Sequence, residues 1–70
     1  MYLVVEMQTQ NGKVSTLNYQ YDNMSQAESK YFAILSAAAV SNLDVHAAII
    51  MDCRGVVLKN YFYDRRSNEE

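Results

Sequence analysis

A 70-residue chain with a formal charge of −2, half of it hydrophobic, makes one folded domain and is too apolar for intrinsic disorder. Its single Cys53 and single His46 exclude an intrachain disulfide and a four-ligand zinc site, and its two glycines are too few for a phosphate-cradling loop. Folding at this length buries only ~60% of the unfolded surface and one such core rarely supplies more than ~3–5 kcal/mol, so self-association or unusually tight packing is the expected supplement.

The basic side chains are scattered (Lys13, Lys30, Arg54, Lys59), with only Arg65 and Arg66 adjacent. With an acidic balance, nothing here favours a phosphate backbone as partner. No apolar run approaches the ~18 residues of a membrane span. The stretch MYLVVEMQ has neither a basic start nor a long apolar core, so the default expectation is a cytoplasmic protein without membrane contact.

Residues 2–10, YLVVEMQTQ, are rich in β-branched and aromatic side chains and run into Asn11-Gly12. Such a pair between two runs of this kind signals a hairpin, because a type I′ turn needs positive φ at both central residues. Residues 13–21, KVSTLNYQY, are then the return strand, with Gln10 opposite Lys13. That register gathers Leu3, Val5, Met7 and Val14, with Thr9, Thr16, Asn18 and Gln20, on one face. Tyr2, Val4, Leu17, Tyr19 and Tyr21, with Glu6, Gln8 and Ser15, take the other. Neither face is cleanly polar.

The one sustained helical pattern runs from Ser25 to Ser41, SQAESKYFAILSAAAVS. Ser25 and Glu28 have the capping-box spacing, and Asp22 and Asn23 supply turn-forming side chains before them. Ala27, Tyr31, Ile34, Leu35 and Ala38 recur as a buried stripe. The run Ala37-Ala38-Ala39 is slim enough for close approach to a sheet or a second helix. Asn42 is the expected residue just past the helix end.

Residues 44–52, DVHAAIIMD, and 56–63, VVLKNYFY, form a second pair of strands through Cys53-Arg54-Gly55. Two registers are open. A three-residue loop with a left-handed Gly55 pairs Asp52 with Val56. It groups Val45, Ala47, Ile49 and Met51 with Val57, Tyr61 and Tyr63, against His46, Ala48, Ile50, Leu58 and Phe62. A two-residue loop pairs Asp52 with Gly55 and exchanges the partners from the last strand. Both faces are largely apolar either way. The expected fold is α+β, ββαββ, with one helix on one face of a small antiparallel or mixed four-stranded sheet. Residues 1–63 are the domain, and 64–70, DRRSNEE, a polar tail expected to fray.

Catalytic chemistry has little to stand on. His46 and Cys53 lie at the two ends of one extended run, roughly 23 Å apart at ~3.3 Å per residue, too far for a dyad. Asp44 shares a face with His46, but no nucleophile accompanies them. Cys53, in a turn beside Arg54, reads either as an activated thiol or, more plainly, as a turn residue. Tyr61 and Tyr63 stand near Lys59 and Arg65-Arg66, a hint of base stacking that Glu6 and the acidic balance oppose. No catalytic, cofactor-binding or metal-binding residue is assigned. One helix covers one face, so the surplus apolar face is expected to be an interface. Its candidate contact residues are Tyr2, Val4, Tyr19, Tyr21, His46, Ile50, Tyr61 and Tyr63.

The runs EMQT with NGKVSTL, QAESKYFAILSAAAVS and VHAAIIMDCRGVVLKNYFY together resemble a family of short uncharacterised ββαββ-type proteins of Firmicutes and their phages and prophages. The resemblance spans about residues 5–63 and is most specific over 26–31 and 37–41. It transfers no site residue, because that family has no assigned activity. It implies a bacterial or phage origin, with either an assembly component or a small inhibitor of a host protein as the role. Both act by binding. The expected function is a non-catalytic module that forms a homo-oligomer. Inhibition of a host protein is the alternative, with thiol chemistry at Cys53 or nucleic-acid binding behind it.

Overall fold

Two hairpins flank a helix. The computed structural model describes residues 1–66, arranged as β1 (Tyr2–Gln10), β2 (Lys13–Tyr21), α1 (Met24–Ala39), β3 (Val45–Asp52) and β4 (Val57–Asp64). The strands form one antiparallel sheet in the order β2-β1-β3-β4, with α1 packed on one face. This is the ββαββ arrangement expected from the sequence.

The first hairpin follows from local chemistry. Asn11 (φ 55°) and Gly12 (φ 79°) both take positive φ, which Gly adopts freely and Asn tolerates, and Gln10 stands opposite Lys13. The tip is tied to the loop after α1. The Asn11 N–H donates to Asp44 Oδ2, and the Asp44 N–H donates to Gln10 Oε1, both at 3.0 Å.

The helix starts earlier than the Ser25–Glu28 spacing indicates. Asn23 is the N-cap: its backbone is extended (φ −127°, ψ 158°) and its Oδ1 accepts the Gln26 N–H at 2.8 Å. Asn caps as well as Ser does, and starting there brings Met24 onto the core. Asn23→Ala is therefore expected to lower stability by ~1 kcal/mol, and Ser25→Ala by far less, as read by urea unfolding.

The other helix end also departs from expectation. The helix stops at Ala39, and among non-glycine residues described only Asn11 has positive φ, so Asn42 makes no left-handed cap. The last carbonyls are met by Arg65 instead, whose Nη2 donates to Ala38 O at 2.7 Å and Ala39 O at 3.1 Å. A cation at this end also suits the helix dipole. The Arg65 N–H bonds to Asp44 O at 2.7 Å. The segment expected to fray from Asp64 thus begins inside the fold; residues 67–70 lie outside the described residues.

The second hairpin starts in the three-residue-loop register and, past a bulge, shifts to a pairing that neither candidate register contains. Next to the loop, the Asp52 N–H donates to Val56 O and the Gly55 N–H to Asp52 O, both at 3.0 Å. Gly55 is left-handed (φ 87°), and Met51 faces Val57. A bulge at Leu58 follows. Beyond it Ile50 faces Lys59, Ala48 faces Tyr61 and His46 faces Tyr63. The extra residue flips side-chain parity, so Tyr61 and Tyr63 join His46, Ala48 and Ile50. Asp52 organises the loop, accepting the Arg54 N–H at 2.8 Å, the Val56 N–H at 3.1 Å and the Arg54 guanidinium at 2.7 Å. The Arg54 bond, first of all, holds the Asp52 carboxyl below its ordinary range.

The core lies between helix and sheet, where Val4, Ala48 and Ile50 meet Ala27, Tyr31 and Ile34. Tyr2, Tyr19, Tyr21, Met24 and Leu35 pack around them. Bulk at the rim and small side chains at the centre make a trough. The alanine face of α1 can sink into it, and Ala27, Ala38 and Ala48 are fully buried.

Candidate interaction surface

The eight residues expected at an interface do share one face, but it is the face that α1 covers. Val4 lies opposite both Tyr19 and Ile50, Tyr2 opposite Tyr21, and His46 opposite Tyr63. Residues directly opposite one another project to the same side of a sheet. Val4 and Ile50 are fully buried and His46 is 4% exposed, while Tyr2, Tyr19 and Tyr21 pack against the core. Tyr63 is half-buried, and its ring meets that of Tyr61 edge-on at 5.4 Å. Of the eight, only Tyr61 is exposed. The correction has a physical cause: large tyrosines are what a single slim helix needs around it to close a core.

The uncovered face carries Leu3, Val5 and Met7 of β1, Val45, Ala47, Ile49 and Met51 of β3, and Val57 and Phe62 of β4. Toward β2 it turns polar, with Thr16, Asn18 and Gln20 beside Val14. The apolar surface is therefore off-centre, over three of the four strands. Phe62 is 56% exposed and Val57 49%. A shallow concavity of about 280 Å³ lies between β3 and β4, lined by Met7, Ala47, Ile49, Val57, Asn60 and Phe62. Charge comes to this face at one corner, where Asp64 pairs with Arg66 at 2.8 Å. The hydrogen bond from Arg66 holds the Asp64 carboxyl down to about 2.

The sequence carries one pointer to which face stays open. The first hairpin's register put Glu6 and Gln8 on the tyrosine face, and β3 offered His46 to the same side. Glu6 and His46 on one face can bond each other, and only with such a partner can a face that carries them go under the helix.

Under the helix those groups form a polar cluster. His46 Nε2 lies 2.7 Å from Glu6 Oε2, and Gln8 Nε2 donates to the same oxygen at 2.9 Å. His46 Nδ1 is buried and has no partner among the described residues. Burial pushes the Glu6 carboxyl up. The bonds from His46 and Gln8 and the charges of His46 and Lys30 outweigh it, so the group sits below its ordinary 4.5. Asp44, which shares a strand face with His46 in the sequence reading, is committed to the hairpin tip. Cys53 is exposed in the turn beyond the far end of β3. His46 and Glu6 thus bond each other inside the fold, with no nucleophile beside them.

Among the described residues no three His, Cys, Asp or Glu side chains gather as a metal site, and no helix is long and apolar enough to cross a membrane. Comparison with protein-family models, with curated proteins and with solved structures finds no match.

Proposed function

We propose that this chain is a non-catalytic interaction module that self-associates by stacking its uncovered sheet face on that of a second copy. The observation that carries this reading is the apolar surface of Leu3, Met7, Ile49, Met51, Val57 and Phe62, left uncovered by α1. Its size supports the reading. Four strands ~4.8 Å apart and eight residues of ~3.3 Å make roughly 500 Å² in projection, and more in accessible area. Stable interfaces bury ~600–1,000 Å² per partner, so nearly the whole face would be used. Its charge supports the reading too, since no like-charged groups meet at the centre when two copies stack ~10 Å apart. The resemblance to short proteins of Firmicutes and their phages is compatible with an assembly component acting in a bacterial cytoplasm, as it is with a small inhibitor of a host protein.

The test is a molar mass at micromolar concentration by light scattering. The wild-type chain is expected to exceed the mass of one chain. Phe62→Lys, which alters an exposed side chain and no core contact, is expected to lower that mass while leaving the circular dichroism unchanged. A wild-type mass of one chain removes the reading and leaves the face to a different protein, such as a host target.

A further inference from the structure

The sheet has two edges, and they are not alike. Edge strands left open invite pairing, and proteins guard them with charges, bulges or proline. The β4 edge is guarded by the bulge at Leu58, by Lys59 and Asp64, and by Arg65 turning back to the helix end. The β2 edge has none of these. It is nine residues long, in unbroken register with β1, without proline, and its only charge is Lys13 at the start. Among the described residues no strand pairs with its outer side. The helix reaches the far end of β2, where Lys30 lies over the Tyr19 ring at 4.1 Å, but it leaves Leu17, on the same side, 49% exposed.

We propose that the outer edge of β2 is a second association site, where two copies of this chain pair antiparallel into one continuous eight-stranded sheet. The proposal is independent of the face-to-face reading. In a two-residue hairpin the residues flanking the turn, here Gln10 and Lys13, bond each other. Alternation then aims the backbone groups of Lys13, Ser15, Leu17, Tyr19 and Tyr21 at β1, and those of Val14, Thr16, Asn18 and Gln20 outward. A twofold axis through Leu17 sets Thr16 opposite Asn18 of the second copy and Val14 opposite its Gln20. All four outward residues are then paired, with about eight backbone hydrogen bonds across the junction.

The side chains match in the same register. Leu17 meets Leu17 of the second copy on the axis, covering two half-exposed side chains at once. Thr16 and Asn18 can bond across the seam. Lys13 comes to the ring of Tyr21 of the second copy, one position from its Asp22, so opposite charges approach and like charges do not. Leu17 on the axis, the polar Thr16–Asn18 pairs beside it and the approach of Lys13 to the acidic end of the other strand are what select a second copy as the occupant. The axis stands perpendicular to the sheet, so both helices lie on one side and the two open faces merge. Stacking two such sheets closes an assembly of four chains with three perpendicular twofolds.

Molar masses measured in a face-disabled background separate the two sites. Phe62→Lys alone is expected to give the mass of two chains, held by the β2 edge. Adding Leu17→Lys sets two ammonium groups together on the axis and is expected to weaken that pair at least tenfold. Adding Asn18→Pro instead removes an outward N–H without touching the β1 ladder, with the same expected result. The proposal is overturned if Phe62→Lys already runs as one chain, or if both added changes leave a two-chain mass. Failure of the face reading looks different: wild type and Phe62→Lys would then have equal masses.

Discussion

Ile50→Ala is expected to lower the unfolding free energy by ~3 kcal/mol, within the range for removing a buried aliphatic side chain beside a rigid helix. Ile50 is fully buried between Val4 and the helix, and its neighbours Ala27 and Ala48 have no side chain with which to refill the space. One core of this size supplies ~3–5 kcal/mol, so the substituted chain would keep only ~0–2 kcal/mol of stability. Its neighbour in sequence provides the contrast. Ile49 points to the open face, and Ile49→Ala should cost an isolated chain only ~1 kcal/mol while weakening self-association. Urea titrations of both variants, below the concentration of association, check the pair. Equal losses would mean that the helix does not distinguish the two faces.

The second large effect concerns Glu6. Glu6→Ala leaves His46 buried with neither ring nitrogen bonded, a loss of ~2–3 kcal/mol. Replacing both with leucine should recover most of it, because the deficit lies in the orphaned partner more than in the bond itself. Full additivity of the two single substitutions in a double-mutant cycle would contradict this coupling. The pH dependence has a definite sign. The fold holds the Glu6 carboxyl below its ordinary 4.5, so protons bind more tightly to the unfolded chain. The stabilisation is complete above that ordinary value and is lost as pH falls through the lower folded one. Wild-type stability should therefore drop more steeply than that of Glu6→Gln between about pH 5 and pH 3. Chemical denaturation at a series of acidic pH values measures the difference.

Much of the fold was legible because its signals are local. Asn11-Gly12 needs only its own backbone preferences to turn the chain, and it sets the parity of eighteen strand residues at once. Gly55 likewise marks the second loop. What could not be read depends on distant partners. Asn23 and Ser25 are both competent caps, and the choice between them turns on whether Met24 reaches the core. The bulge at Leu58 has no residue signature, yet it decides on which side Tyr61 and Tyr63 emerge. The residues expected on the open face lie under the helix for the same reason. Both faces are apolar, and which one the helix takes depends on the strand order and the hand of the β2–α1–β3 crossover. Val4 and Val5 look alike until the helix is in place.

The strand order has a kinetic consequence as well. Each hairpin closes over two or three residues, but the seam between β1 and β3 joins positions from 36 apart (Thr9 to Val45) to 50 apart (Tyr2 to Asp52). The entropy of closing so long a stretch falls due before any contact across the seam rewards it. The slow step of folding is thus expected to be the meeting of the two hairpins with the helix settling across their join. Val4, Ala48 and Ile50 sit at that join. They hold the native state together, and substitutions there are expected to slow folding as well as to destabilise the fold.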